Sequence, residues 1–288
     1  MTAPQVTITD VVLRDGFQDE PVFVPVPDRI AVAEALVAAG VTSIEAASFV
    51  NPRRVPQMAG AEELVAALPS APGVRYSAIA LNAKGVERAV AAGVTDIGLV
   101  TSASQAHSRA NAGRTVDDAL ADLGSVVAAH PDVTFIGGIS TAFVCPFEGE
   151  IPPETLLAVA RSFDAIGVAQ IGLADTVGTA TPYQVARALD LLRAELPEAD
   201  FRLHLHNAHG QALQSIDAAF ERGITRFDSA AGGYGGCPYA PGAHGNIATE
   251  ELVAHLHAAG VSTGIDEVAL AEAVALVKDV LARAEPLT

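Results

Sequence analysis

Short β-branched runs alternate along the chain with longer, alanine-rich runs of helical periodicity. The short runs have the length of buried parallel strands, and the longer runs repeat apolar residues at the spacing of an amphipathic helix. The predicted strands cover residues 6–12, 42–47, 74–80, 96–101, 132–138, 168–174, 201–206 and 225–230. The clearest predicted helices cover residues 28–40, 83–93, 115–129, 153–167, 182–195, 248–259 and 266–284.

The junctions between these units repeat one another. The segments AAGVTSIEA, AAGVTDIGL and ERGITRFDS each place a glycine at the end of a helix, followed at once by a strand. Eight strand–helix units without a linker predict an α/β fold, a (β/α)8 TIM barrel at about residues 5–262 with an additional C-terminal helix at about 266–284. Residues 1–288 would form a single domain. An open Rossmann-like sheet is disfavoured, because no G-x-G-x-x-G follows the first strand.

Composition narrows the function classes. Half of the 288 residues are apolar, and the net charge is −17 with Lys84 and Lys278 as the two lysines. So acidic a chain is unsuited to bind nucleic acid or an anionic membrane. Two cysteines cannot form a disulfide framework, and no apolar run reaches the roughly 18 residues of a membrane helix. Without a recognisable targeting segment, these features predict a soluble cytoplasmic protein.

Two histidines are the most informative polar residues. His204 and His206 are two positions apart on a predicted strand, so both side chains face the barrel interior. Asp15 follows the first strand and Asn246 follows the eighth, and both strands lie near the seventh in a closed barrel. Such mixed oxygen and nitrogen ligands suit Mg²⁺ or Mn²⁺ and are compatible with Zn²⁺ or Co²⁺. The alternative is a pair of core histidines bonded to the backbone.

A glycine-rich loop, residues 232–236, precedes Cys237. Glycines permit positive φ and a mobile lid, so a thiol at this position favours a chemical role over a packing role. Cys145 has apolar neighbours and is predicted to pack in the core. A Cys/His hydrolase built from Cys237 and His244 stays open as an alternative.

Seven motifs occur in a characteristic order. They are RDGFQDE at 14–20, EAASFVNP at 45–52, CPFEG at 145–149, DTVG at 175–178, HLH at 204–206, GYGGCPYA at 233–240 and GNIATE at 245–250. In their order and in their residues, these motifs resemble those of the 3-hydroxy-3-methylglutaryl-CoA (HMG-CoA) lyase family. The resemblance extends from residue 14 to about residue 264, which is nearly the whole chain.

The resemblance implies a metal-dependent TIM-barrel lyase that cleaves HMG-CoA to acetyl-CoA and acetoacetate, as in leucine degradation. It implies an acyl-CoA as the partner, and a homodimer or higher homo-oligomer is compatible with it. The implied metal ligands are Asp15, His204, His206 and Asn246. The implied catalytic residues are Arg14, Cys237, His204, Glu45, Asp175 and Glu250, with Gln18, Ser48 and Asn111 predicted to bind substrate.

Some residues depart from the family pattern. Asn207, His209 and His244 replace residues that are common in the family and lie near the expected substrate. A second interpretation is therefore a lyase or aldolase of the same superfamily, acting on a 3-hydroxyacyl-CoA with another C3 substituent. A catalytically inactive binding protein is disfavoured because Arg14 and Cys237 are both present. An amidohydrolase would carry its H-x-H motif on the first strand rather than the seventh.

Overall fold

The structure is a computed structural model that describes residues 5–236 and 245–287. The strands within these residues are β1 (Thr7–Asp10), β2 (Val22–Phe23), β3 (Ser43–Ser48), β4 (Arg75–Ile79), β5 (Asp96–Ser102), β6 (Thr134–Ser140), β7 (Val144–Cys145), β8 (Gly149–Glu150), β9 (Gln170–Asp175), β10 (Phe201–Leu205), β11 (Arg226–Ser229) and β12 (Glu285–Pro286). The α-helices are α1 (Val26–Ala38), α2 (Ala61–Ala67), α3 (Ala83–Ala91), α4 (Gln105–Ala112), α5 (Val116–Ala129), α6 (Pro153–Ile166), α7 (Pro182–Glu195), α8 (Ala212–Phe220), α9 (Thr249–Ala258) and α10 (Glu267–Arg283).

Eight parallel strands close into a barrel in the spatial order β1, β11, β10, β9, β6, β5, β4 and β3, and β3 pairs back to β1. This confirms the predicted (β/α)8 barrel. Strand β11 lies between β1 and β10, so the first, seventh and eighth barrel strands are neighbours. The short strands β2 and β12 form one antiparallel pair outside the barrel and β7 and β8 form another, and the sequence did not predict either pair.

The alternation of side chains along β10 shows how the barrel separates its core from its cleft. Phe201, Leu203 and Leu205 are buried and face outward, where the surrounding helices cover them. Arg202 and His204 occupy the alternate positions and face the interior, because successive side chains of a strand point to opposite sides. A single strand thus stabilises the fold with one face and supplies polar groups with the other.

The predicted C-terminal helix is present as α10, which packs against α1 and α9. The amide of Asp266, just before α10, donates to the carbonyl of Ala39, at the end of α1, over 2.8 Å. Gly40 follows with φ of 93°, in the left-handed region, and a Cβ there would lie 2.5 Å from the carbonyl oxygen of Gly264. The glycine therefore lets the two helix ends approach. Within the described residues, no helix is both long and apolar enough to span a membrane.

The first predicted strand, 6–12, is too long by two residues at its end. Strand β1 ends at Asp10, and Val12–Gly16 forms one wide helical turn, in which the amide of Gly16 donates to the carbonyl of Val11 over 3.2 Å. The Asp10 carboxylate accepts a hydrogen bond from the amide of Val12 at 2.9 Å. This side-chain bond draws the backbone out of the strand and begins the turn.

Candidate active site

The wide turn after β1 places two oppositely charged neighbours at the carboxyl end of the barrel. Arg14 and Asp15 both lie in this turn and form an ion pair. Glu45, on β3, accepts a hydrogen bond from Arg14 Nε at 2.6 Å. The same carboxylate oxygen forms an ion pair with Arg14 Nη2 at 2.5 Å. Wide turns of this kind recur at functional sites because they redirect side chains without ending the element.

Burial and ion pairing oppose each other in this pair. Burial alone would raise the pKa of Asp15, but Arg14, His204 and His206 together lower it below its usual range. Burial likewise works to lower the pKa of Arg14, and Asp15 and Glu45 more than compensate, so that it is raised. Both groups are therefore fully charged near neutral pH. The site holds a permanent guanidinium cation beside a permanent carboxylate.

His204, on β10, and His206, one residue after its end, point their Nε2 atoms at each other. His204 Nε2 and His206 Nε2 are 3.2 Å apart, and Asp15 Oδ2 lies 3.9 Å and 3.8 Å from them. His204 Nδ1 faces Asp228 Oδ2 at 3.3 Å, and His206 Nδ1 faces the carbonyl of Thr176 at 3.0 Å. Because both partners only accept, each Nδ1 carries a proton, which leaves Nε2 as the ring atom that each imidazole can offer to a cation.

Three potential ligand atoms thus converge, one each from Asp15, His204 and His206. Their separations allow one cation to contact Asp15, His204 and His206 together. Asn246 closes the cluster from the segment before α9: its Nδ2 donates to Asp15 Oδ2 at 2.6 Å, and its buried Oδ1 has no partner among the described residues. One carboxylate, two imidazoles and an unpaired amide oxygen are a donor set that fits a divalent cation. The four residues predicted as ligands are therefore brought together.

Hydrogen bonds that involve backbone groups hold the ring of His206 in place. Its Nδ1–H donates to the carbonyl of Thr176, whose own hydroxyl oxygen accepts from the amide of Thr141 at 2.7 Å. Thr141 has φ of 52°, and among the described residues no other non-glycine residue has positive φ. Its hydroxyl lies 2.8 Å from that of Ser102. The strain at Thr141 is thus held by hydrogen bonds that lead to His206, a predicted metal ligand.

The polar cluster lies at the bottom of a cleft of about 250 Å³ at the carboxyl ends of the strands. The three residues predicted to bind substrate, Gln18, Ser48 and Asn111, all line it. Its walls also carry small and apolar positions, which are Val50, Ile79, Leu81, Val100, Gly138, Ile139, Gly172 and Ala174. The cleft therefore offers an apolar surface around a few convergent charges, as small-molecule sites do.

Two residues predicted as catalytic, Asp175 and Glu250, accept hydrogen bonds from backbone amides. Asp175, at the end of β9, accepts a hydrogen bond from the amide of Ala180 at 2.9 Å, and burial raises its pKa. Glu250, in the first turn of α9, accepts from the amide of Gly232 at 3.0 Å. Each carboxylate thus shapes a turn beside the cleft, Asp175 after β9 and Glu250 at the start of the glycine-rich loop.

The predicted thiol and its alternative partner, Cys237 and His244, lie outside the described residues. Cys145 is buried as predicted, and its thiol lies 3.0 Å from the hydroxyl of Ser104. Within the described residues, the thiol of Cys145 is therefore buried, and no cysteine is exposed.

Sequence reasoning assigned no role to Arg202 or Asp228, although both line the cleft. Arg202 Nη2 lies 3.2 Å from Asp228 Oδ2 and 3.6 Å from Glu45 Oε2. The signal for Arg202 was available, since it is two positions before His204 and shares its face of the strand. Asp228 pairs across from His204 in the parallel register of β10 and β11, which a sequence does not display.

Comparisons with known proteins agree closely with one another. A family model described as HMGL-like matches residues 5–277. A protein of Pseudomonas mevalonii named hydroxymethylglutaryl-CoA lyase is 39% identical over 269 residues, covering 93% of this chain and 89% of that protein. A protein of Chloroflexus aurantiacus named (R)-citramalyl-CoA lyase is 42% identical over 277 residues, covering 92% and 87%.

A solved structure is similar over the whole chain. The HMG-CoA lyase from Acinetobacter baumannii, in complex with coenzyme A and 3-methylmalate, matches with a TM-score of 0.93 and 37% sequence identity. The match covers 100% of this chain and 95% of that one. The barrel of this chain thus has the same architecture as a protein whose structure contains coenzyme A.

Proposed function

This chain belongs to the HMGL-like family, and from that premise we propose that it is a divalent-metal-dependent lyase that cleaves HMG-CoA to acetyl-CoA and acetoacetate. The family predicted from the sequence motifs is confirmed. The observation that carries the proposal is the convergence of Asp15, His204 and His206 beside Arg14 in one cleft. We further propose that residues 1–288 act as a single lyase domain. The cytoplasmic location and the homo-oligomer stay predictions.

The cluster would hold a divalent ion through Asp15, His204, His206 and Asn246, and Mg²⁺ or Mn²⁺ suits this donor set best. Such an ion, when bound, supplies a Lewis acid for the C3 hydroxyl of the substrate. The Nδ1 contacts to Asp228 and to the carbonyl of Thr176 fix both imidazole rings in the tautomer that presents Nε2.

Arg14 is proposed to stabilise the charge that develops as the C2–C3 bond breaks. In this retro-Claisen cleavage, the electron pair of the broken bond moves onto the thioester oxygen, giving an enolate. A guanidinium cation held by Glu45 and Asp15 is positioned in advance for that charge. A proton then returns to C2 and forms the methyl group of acetyl-CoA.

Cys237 is proposed to carry the protons, on the basis of its position in the GYGGCPYA motif. A thiol titrates close enough to neutral pH to accept the hydroxyl proton and to return one to carbon. Cys237→Ala is expected to bind metal normally and to lose kcat by about 10²- to 10⁴-fold. Cys145→Ala is the matched control, and near-normal turnover of the Cys237 variant would transfer this role to His204.

A second candidate substrate is (R)-citramalyl-CoA, because the chain is 42% identical to a lyase named for it. Both thioesters carry a hydroxyl and a methyl group on C3, and citramalyl-CoA has one methylene fewer before its carboxylate. The same cleavage would give pyruvate in place of acetoacetate. The chemistry proposed for Arg14 is unchanged in either case.

One experiment tests the proposal and separates these substrates. Metal-loaded protein is incubated with HMG-CoA and, separately, with (R)-citramalyl-CoA, and acetyl-CoA, acetoacetate and pyruvate are quantified. Acetoacetate at a higher kcat/KM supports the HMG-CoA proposal, whereas pyruvate at a higher kcat/KM supports the alternative. EDTA should abolish the activity and Mg²⁺ or Mn²⁺ should restore it. Cleavage of neither thioester would refute the proposed function.

A further inference from the structure

Arg202 is a second arginine in the cleft with incomplete bonding. Its side chain is 12% exposed and lies one strand repeat deeper in the barrel than His204. Its Nε is buried and has no hydrogen-bond partner among the described residues, a costly arrangement for a charged donor. A guanidinium offers five N–H donors, so most of its bonding capacity is available to a ligand.

The two carboxylates near Arg202 are each shared with another residue. Glu45 binds Arg14 at 2.5–2.6 Å but lies 3.6 Å from Arg202, and Asp228 faces both Arg202, at 3.2 Å, and His204, at 3.3 Å. Neither carboxylate holds the guanidinium in the two-bond geometry that arginine and carboxylates form when they are matched. Structural ion pairing therefore does not account for the full bonding capacity of Arg202.

The neighbouring strand leaves room for the guanidinium. Gly172, on β9, lies against it, and a Cβ at that position would be 3.3 Å from Arg202 Nε and 3.5 Å from its Cγ. That spacing is tighter than ordinary packing, so a side chain at Gly172 would press on the arginine. Gly138 likewise lines the cleft without a side chain. Space at this level of the barrel is thus kept for Arg202 and for whatever contacts it.

Charge in the cleft also calls for an anion. Its lining carries three carboxylates, Asp15, Glu45 and Asp228, and two guanidinium groups, Arg14 and Arg202. With a divalent cation bound, the cluster carries one net positive charge, which matches a single carboxylate of a ligand. Coenzyme A is too large for so deep a position, so the matching anion belongs to the acyl part of the substrate.

We propose that Arg202 is an anion subsite at the bottom of the cleft that binds the free carboxylate of the acyl substrate. This inference rests on the proposed function and names the residue that recognises one part of its substrate. A branch on C3 that ends in a carboxylate is accepted there. A neutral branch of similar size leaves the guanidinium desolvated and unpaired, and is disfavoured.

The test compares two thioesters that differ in the carboxylate. HMG-CoA and 3-hydroxy-3-methylbutyryl-CoA share the C3 hydroxyl and the coenzyme, but the second has a methyl group where the first has a carboxymethyl group. Calorimetry on Mg²⁺-loaded protein with the matching thioesters that lack the hydroxyl, 3-methylglutaryl-CoA and 3-methylbutyryl-CoA, gives Kd without turnover, because cleavage requires that hydroxyl. Kinetics with the two hydroxy thioesters give KM and kcat. The wild-type protein is expected to bind the carboxylate-bearing thioester of each pair about 10- to 100-fold more tightly than its neutral partner.

Variants assign this preference to one side chain. Arg202→Met should reduce the preference to near parity while leaving the Kd of the neutral analogue within about threefold, and Arg202→Lys should keep part of it. Arg226→Met is the matched control, because Arg226 lies on β11 and pairs with Asp200 outside the cleft. It should behave as the wild type.

The outcomes distinguish the subsite from its alternatives. Equal affinity of the wild-type protein for both thioesters would overturn the inference, and this measurement needs no variant to fold. Equal weakening of both thioesters and of Mn²⁺ in Arg202→Met would also overturn it and would make Arg202 a positioning residue for Glu45 and Asp228. A clear carboxylate preference with no cleavage of either candidate substrate would refute the proposed function alone.

Discussion

The two ends of the barrel hold their charged residues in opposite ways. At the amino end, Arg75 donates two hydrogen bonds to Asp96, at 2.5 and 3.1 Å, and Arg226 donates one to Asp200 at 2.8 Å. At the carboxyl end, polar atoms of Arg202, Asp228 and Asn246 are buried without a partner among the described residues. One end satisfies its charges within the fold, and the other leaves bonding capacity for a ligand.

Pocket size does not reveal this difference. The amino end also has a pocket, of about 420 Å³ beside Arg75 and Asp96, besides the cleft of about 250 Å³ at the carboxyl end. Its arginine and carboxylate, however, already bind each other. Unsatisfied buried groups are expensive, and they persist where a ligand or an ion completes them. Bonding capacity is therefore the better indicator of the site.

The largest expected effect comes from removing His206, one of the residues proposed to bind the ion. His206→Ala should weaken Mn²⁺ binding by at least about 10²-fold and lower activity by about 10³-fold, because the remaining ligands no longer enclose the cation. Calorimetry with Mn²⁺ and steady-state assays measure both. His255→Ala, a surface histidine paired with Asp217 at 2.7 Å, should change neither. Full Mn²⁺ affinity in the His206 variant would contradict the assigned ligand set.

The next largest effect is expected for Arg14, the cleft arginine, in contrast with the paired arginines at the amino end. Arg14→Met should lower kcat by about 10²- to 10³-fold with little change in KM, because the charge that Arg14 stabilises exists mainly in the transition state. Steady-state kinetics at saturating metal provide the measurement. A change confined to KM would mean that Arg14 binds the ground-state substrate instead.

At the carboxyl end, the buried Asp10 makes the stability of the folded protein depend on pH. Asp10 is buried at the carboxyl end of β1 and accepts hydrogen bonds from Val12, Ala231 and Thr249, and burial outweighs these bonds and raises its pKa to about 6. The neutral form is thus favoured by folding. The stability that this adds is present below the unfolded pKa of about 4 and is lost as pH rises through about 6.

Asp10→Asn removes that titration. Between about pH 4 and pH 7, the free energy of unfolding of the wild-type protein should fall by about 2 kcal/mol relative to the variant. Urea unfolding of both proteins at the two pH values measures the difference. A gap that stays constant with pH would show that Asp10 keeps an ordinary pKa in the folded protein.

The smallest effect belongs to the amino end. Arg226→Met should cost about 0.2–1 kcal/mol of stability and leave kcat unchanged, because its partner Asp200 is a partly exposed carboxylate. Thermal unfolding and steady-state assays check both parts. A large loss of activity in this variant would remove the contrast between the two ends of the barrel.

The strand pattern was readable from the sequence where burial is regular. The predicted strand at 201–206 and the observed β10, Phe201–Leu205, nearly coincide, because alternating apolar residues report the outward face directly. The helix at 182–195 is confirmed at both ends, and Thr181 fixes its start with a capping box. Local sequence determines both features.

The turn at Val12–Gly16 was not readable, because its cause is not local. Asp10 begins the turn while it also accepts from Ala231 and Thr249, which are 221 and 239 residues away. The partners of Arg202 likewise come from β3 and β11, through pairing that only the closed barrel produces. The residues proposed as metal ligands were predicted from motif and strand period, whereas the residues that orient their side chains required the register between strands.

The amide of Asn246 also donates to the carbonyl of Tyr234 at 2.9 Å, joining positions that are 12 residues apart. This bond ties both flanks of the intervening segment, which carries Cys237, to the residues proposed to hold the ion. One amide group thus joins the anchoring of that segment to the charged cluster, so a disturbance of either is passed to the other through a single side chain.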